Sequence, residues 1–116
     1  QPRSRGLGDV YKRQVQQHIL ENLHDPALSP ASAAAAFRMS RRYLYNLFAL
    51  AATTPADFIL SARLERSRDA LCDATQSVRQ IGDIAYRFGF SDAARFSHAF
   101  RKRYGASPSE YRRQAR

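Results

Sequence analysis

Apolar residues recur with a helical period from Val15 to the C-terminal end of the chain. Val15, Ile19, Leu20 and Leu23 stand at i, i+4, i+5 and i+8 and give one apolar face. Asp25-Pro26 ends that helix, because a residue before proline avoids the α region. Ser29 then caps, and Pro30 opens, a short alanine-rich helix running from Ala31 to about Phe37. Ser40 caps a second helix with Tyr43, Leu44, Leu47 and Phe48 on its apolar side. Arg41, Arg42, Tyr45 and Asn46 are left on the other. Thr54-Pro55 starts a long helix reaching Leu71, and Asp73 to Gln76 reads as a loop. Ser77 is expected to cap a helix carrying Val78, Ile81, Ile84 and Ala85, ended by a left-handed Gly89. Ser91 or Asp92 caps the next, with Phe96, Ala99, Phe100 and Tyr104 on its apolar face and Gly105 after it. Ser107-Pro108 opens a last short helix holding Tyr111. The pattern predicts an all-α chain of about seven helices and no strand.

Residues 1–14 carry no such period. They hold two glycines, one proline and four basic residues, and read as a flexible or non-native tail outside the fold.

The helices repeat at an interval of 51 to 53 residues. Ala34 matches Ala85, Phe37 matches Phe88, Met39 matches Phe90, and Ser40 matches Ser91. With one residue inserted, Leu44 matches Phe96 and Phe48 matches Phe100. With another, Pro55 matches Pro108 and Phe58 matches Tyr111. Each copy is a short helix, a tight turn, a serine and a longer helix with a polar outer face, the outline of a helix-turn-helix. Small Ala34 and Ala85 let two helices approach closely. Phe37 with Met39, and Phe88 with Phe90, wedge the turn against a core. The serine is expected to satisfy free N–H groups at the start of the second helix, the end that would enter a major groove.

Charge turns this outline toward nucleic acid. Nineteen Lys and Arg against ten Asp and Glu leave a formal charge of +9 on 116 residues. A balance that basic suits a polyanionic partner. The same inventory offers little to catalysis. One cysteine, Cys72, and three scattered histidines, His18, His24 and His98, give no disulfide and no metal-ligand spacing. Cys72 reads as a small apolar residue near a helix end. There is no glycine-rich phosphate loop and no nucleophile–base pair, so neither an enzyme nor a cofactor is expected. No apolar run is long enough to span a membrane and no signal peptide is visible, so a cytoplasmic location is expected.

Two stretches carry a family resemblance. Ile81 to Arg112, I-G-D-I-A-Y-R-F-G-F-S-D-A-A-R-F-S-H-A-F-R-K-R-Y-G-A-S-P-S-E-Y-R, resembles the signature of the AraC/XylS family of transcription regulators. M-S-R-R-Y-L-Y-N-L-F, from Met39, resembles that family's first recognition helix. The resemblance implies two helix-turn-helix subdomains, 15–53 and 73–116, joined by a linker helix over 54–72. At about 1.5 Å per residue the linker would span roughly 25 Å. That is stiff enough to hold two reading helices near one DNA turn, about 34 Å, apart. One departure stands out. The family usually has a glycine after the first recognition helix, where this chain has Ala49-Leu50-Ala51-Ala52-Thr53.

The resemblance puts Arg42, Tyr45 and Asn46 against bases in the first helix, with Ser40, Arg41 and Tyr43 beside the backbone. In the second helix the corresponding set is Ala93, Ala94, Arg95 and His98, with Ser91 at the cap and Arg101 further along toward phosphates. The chemistry fits, since Arg bonds guanine O6 and N7 together and Asn does the same for adenine N6 and N7. Alanines offer only apolar contact to thymine methyls, so the first helix is expected to carry more of the specificity. The expected partner is double-stranded DNA, in a regulator that activates transcription. The linker face of Arg63, Glu65, Arg66, Arg68 and Asp69 reads as an exposed, salt-bridged surface, open to RNA polymerase. A ligand-binding or dimerisation domain, usual in the family, is expected to be missing from this chain. The competing reading is a helical protein-interaction module without DNA binding, which would not need arginines and an asparagine at the outer positions of a repeated helix pair.

Overall fold

The computed structural model describes residues 2–115, with side chains from residue 8 onward. Gln1 of the expected tail and Arg116 of the expected second subdomain lie outside the described residues. Seven α-helices follow one another: α1 Pro2–Glu21, α2 Pro30–Ala36, α3 Arg41–Ala49, α4 Pro55–Cys72, α5 Ile81–Arg87, α6 Ala93–Tyr104 and α7 Pro108–Gln114. Among the described residues there is no strand, as the all-α reading required. Contacts divide the chain into two compact units. The first comprises the residues up to Leu23 together with Ala27–Ser61, the second His24–Pro26 together with the residues from Ala62 on. The division passes through α4, so each unit keeps part of the long helix.

The first unit packs α1, α2 and α3 around Val15, Ile19, Leu44 and Phe48, all wholly buried. Each such side chain contributes about 1.5–3 kcal/mol relative to leaving it in water. Phe58, from the start of α4, sets its ring edge-on to Phe48 at 5.6 Å. The expectation of a flexible tail over residues 1–14 needs correction for residues 2–14: α1 begins at Pro2 and runs without a break into the segment of Val15 and Ile19. The buried part nucleates the helix, and further turns then add at little cost. Gly8 is buried there, and a β-carbon built on it would lie 3.5 Å from Leu47 Cδ2 of α3. No apolar period marks this stretch because its large residues, Val10 and Tyr11, stay exposed. α1 also stops at Glu21, ahead of Asp25-Pro26, where Asn22 Nδ2 donates to the His18 carbonyl at 2.8 Å.

The second unit is built on Leu64, Leu71, Ile84, Phe96 and Phe100. Its aromatic rings form a chain: Phe90 to Phe96 at 4.9 Å, Phe96 to Phe100 at 5.6 Å and Phe100 to Tyr104 at 4.7 Å. Tyr111 meets Phe100 edge-on at 5.4 Å and so fastens α7 to α6. The expected helix capped by Ser77 begins later. Asp73 accepts the Thr75 N–H and hydroxyl, and residues 74–76 form a 3-10 turn that Ser77 ends. The helix α5 then starts at Ile81 after Gln80, which gives it no side-chain cap. Val78, expected on the apolar face, is 92 % exposed. Arg112 holds this loop by donating to the carbonyls of Arg79 at 2.7 Å and Gln76 at 3.0 Å.

Helix starts rich in local signals are capped as read. Ser29 accepts the Ser32 N–H ahead of Pro30, and Thr54 accepts the Asp57 N–H ahead of Pro55. Ser107 and Glu110 bond reciprocally around Pro108, at 3.0 and 3.2 Å. The bond from the Ser107 backbone holds the Glu110 carboxyl below its ordinary range. The ion pairs Arg68–Asp69 within α4, at 3.3 Å, and Arg103–Glu65 from α6 to α4, at 3.5 Å, are exposed and worth little. Cys72, expected as a small apolar residue, ends α4 with an exposed thiol.

Candidate nucleic-acid interface

Each unit contains one short helix, one tight turn and one longer helix: α2 with α3, and α5 with α6. The turns are alike bond for bond. In the first, the Met39 N–H donates to the Ala34 carbonyl at 3.0 Å and the Arg38 N–H to Ala35 at 3.1 Å. In the second, Phe90 donates to Ala85 at 3.1 Å and Gly89 to Tyr86 at 3.1 Å. Both are the six-to-one and five-to-two bonds that close a helix through a left-handed residue. That residue is Gly89, at φ 91°, in the second unit but Arg38, at φ 54°, in the first.

The same contrast recurs at the far end of the longer helices. Gly105 closes α6 at φ 77°, its N–H donating to Arg101 at 2.8 Å. In the first unit, where the expected glycine is missing, Ala52 takes up the left-handed backbone itself at φ 56°. Its N–H donates to Ala49 at 3.0 Å and that of Thr53 to Phe48 at 3.4 Å. That helix end is therefore also closed through a left-handed residue, without the glycine and by a different set of bonds, at a conformational cost.

The caps shift one sequence match. Ser40 caps α3 by accepting the Tyr43 N–H at 3.0 Å. Ser91 does not cap α6, contrary to the match of serine with serine. Asp92 does so, accepting the Ala94 and Arg95 N–H groups at 2.8 and 3.3 Å. Ser40 and Asp92 are thus equivalent, and the residue inserted in the second copy lies in the turn. From there Arg41 pairs with Ala93, Arg42 with Ala94, Tyr43 with Arg95, Leu44 with Phe96, Tyr45 with Ser97 and Asn46 with His98. Leu44, Phe48, Phe96 and Phe100 are all wholly buried, which fixes this register.

At about 100° per residue, the positions opposite the buried stripe are Arg42, Asn46 and Ala49 in α3, and Ala94, His98 and Arg101 in α6. All six are exposed. Arg41, Tyr43, Ala93 and Arg95 are exposed on the flanks, and Tyr45 is half-buried. The side chains of Arg42, Asn46, Arg95 and His98 are held by no hydrogen bond or ion pair among the described residues. Each unit therefore leaves its expected residues exposed along the longer helix, apart from half-buried Tyr45 in the first. Ser97, equivalent to Tyr45 and exposed, was not among them, and the position of Asp92 as the better cap was the signal that could have found it. Among the described residues no cluster of histidine, cysteine or carboxylate could hold a metal ion. No helix among them is long and apolar enough to cross a membrane.

Comparison with known proteins agrees with this geometry. The family described as "Helix-turn-helix domain" matches residues 33–114, from within α2 through α7. A crystal structure of a transcriptional regulator with an AraC-type DNA-binding domain, from Chromobacterium violaceum, superposes with a TM-score of 0.80. It is 29 % identical and covers 94 % of this chain and 96 % of that one. The chain belongs to the AraC/XylS family. Transcriptional activator NphR of Rhodococcus sp is 38 % identical over 86 % of this chain and 29 % of its own length. The DNA-binding domain of AdpA, solved in complex with a target DNA, is 26 % identical with a TM-score of 0.78, covering 89 % of this chain and 90 % of that one. The chain spans about a third of the length of the curated AraC/XylS relatives it matches. The family is one of transcription regulators rather than enzymes, which removes the enzymatic reading.

Proposed function

We propose that this chain binds double-stranded DNA in a sequence-specific way, laying α3 and α6 in successive major-groove segments, and that it is the reading part of a transcription activator. One observation carries the reading: two helices with equivalent buried positions, turns and caps, each turning an open ridge of unpartnered polar residues outward. Arg42 is suited to guanine and Asn46 to adenine, with Tyr45 against a thymine methyl or a phosphate. Arg41 and Tyr43 flank the ridge, where they would meet the backbone. In α6, Ala93 and Ala94 suit thymine methyls and Arg95 and His98 suit base edges. Ser97 joins them by its equivalence to Tyr45, and Arg101 suits a phosphate.

The remaining two thirds of a regulator of this family would supply ligand binding or dimerisation. The exposed face of α4 around Glu65, Arg66 and Asp69 would be available to RNA polymerase, in the cytoplasm where the chromosome lies. A gel shift at graded salt tests the core of the proposal. Retardation at low salt, with one sequence enriched from a random pool, supports it. No retardation at any salt would replace it with a protein-interaction module.

A further inference from the structure

The turn of the first unit carries an arginine where its repeat carries glycine. Arg38 is in left-handed backbone at φ 54°, a conformation that its counterpart Gly89 adopts freely. Its side chain is exposed, with no hydrogen bond or ion pair among the described residues. It stands on the rim of an open cleft of about 340 Å³, lined by Tyr11 of α1, by Phe37, Met39 and Ser40 of the turn, and by Tyr43 of α3. The cleft has an apolar floor of Phe37 and Met39, a cationic rim, and two tyrosines that are each about 40 % exposed. It holds no carboxylate. Arg41 and Arg42 stand exposed immediately beyond it on α3. The turn needs a left-handed residue here but not an arginine, since Gly89 serves in the second unit, and strain kept on a long cationic side chain at the edge of a cleft points toward a role for that side chain.

We infer that this cleft seats one phosphodiester of the DNA strand bordering the groove, with the Arg38 guanidinium on the phosphate oxygens and the sugar against the Phe37 and Met39 floor. The inference rests on the DNA-binding reading of α3. It makes Arg38 a positioning residue that sets the register of α3 without reading a base. Guanidinium is suited to the task, because its fork matches two phosphate oxygens at once.

The decisive variant is Arg38→Gly, which removes the guanidinium and also relieves the backbone. A purely structural residue would gain or keep both stability and affinity on this change. A phosphate clamp gains stability yet loses affinity, by about three- to ten-fold on cognate and random DNA alike, with the salt slope shallower by about one. Arg38→Ala keeps the strain and should lose the same affinity without the gain in melting temperature. Titration of both variants and the parent against a labelled duplex, at several salt concentrations, reads all of this. If the parent binds and Arg38→Gly binds equally well with an unchanged slope, the clamp is refuted and the DNA-binding reading stands. If the parent itself fails to bind, it is that reading which falls.

Discussion

Replacing Ala52 with glycine should make the protein more stable, although it only removes a methyl group. Ala52 is exposed, so the lost β-carbon gives up little buried surface. Its backbone is left-handed, at φ 56°. For a residue with a β-carbon this conformation costs about 1–2 kcal/mol. Glycine is free of that cost but gives the unfolded chain more freedom, worth about 0.4–1 kcal/mol in the other direction. The net expectation is a gain of about 0.5–1 kcal/mol, or roughly 2–6 °C in melting temperature. The second unit supplies the reciprocal experiment. Gly105 sits at φ 77°, and a β-carbon built on it would meet nothing within 4 Å. Gly105→Ala therefore adds strain without a clash and should lose about the same amount. Thermal and urea unfolding followed by circular dichroism at 222 nm would measure both, and a separate transition for the first unit would carry the whole Ala52→Gly shift. If the two variants move stability in the same direction, the backbone account of these helix ends is wrong.

Three further outcomes follow from the same geometry. Asp92→Ala removes the acceptor for two N–H groups of α6 and should cost about 1 kcal/mol, while Ser91→Ala should be close to neutral by denaturant titration. Arg42→Ala should weaken binding to the selected site by about 1–3 kcal/mol; an equal loss on random DNA would reassign Arg42 to phosphates. The Glu110 carboxyl is held below its ordinary range by the Ser107 backbone and hydroxyl, so its contribution is complete above the unfolded carboxylate value and fades as pH falls toward the lower folded value. Glu110→Gln should flatten stability against pH in that acid window, and an unchanged profile would discount the capping box as its source.

What could be read from the sequence was local chemistry and period. Ser29-Pro30, Thr54-Pro55 and Ser107-Pro108 each state a cap and a first helical residue, and each opens a helix where expected. The buried stripes of α3 and α6 were legible because Leu44, Phe48, Phe96 and Phe100 recur with the helical period. The start of α1 was not, since Gly6 and Gly8 weaken a helix and its exposed Val10 and Tyr11 show no apolar face; docking against Leu47 is a property of the fold. Two good caps side by side, Ser91 and Asp92, left the register of α6 one residue uncertain, and with it the place of Ser97. Nothing in Ala49 to Thr53 announces a left-handed residue, because alanine ordinarily avoids that region.

The insertion in the second turn has a consequence for how such a chain changes its target. Once Asp92 is aligned with Ser40, every buried position of α6 lies 52 places from its partner in α3, and so does every outward one. The scaffold and the displayed alphabet are then separate layers of the same segment. On the proposed reading, substitutions at 42, 45 and 46, or at 94, 97 and 98, would rewrite the message while the stripe that folds the helix is left alone. Two copies that share a helical register but differ in their outward residues give one chain two vocabularies on a single grammar.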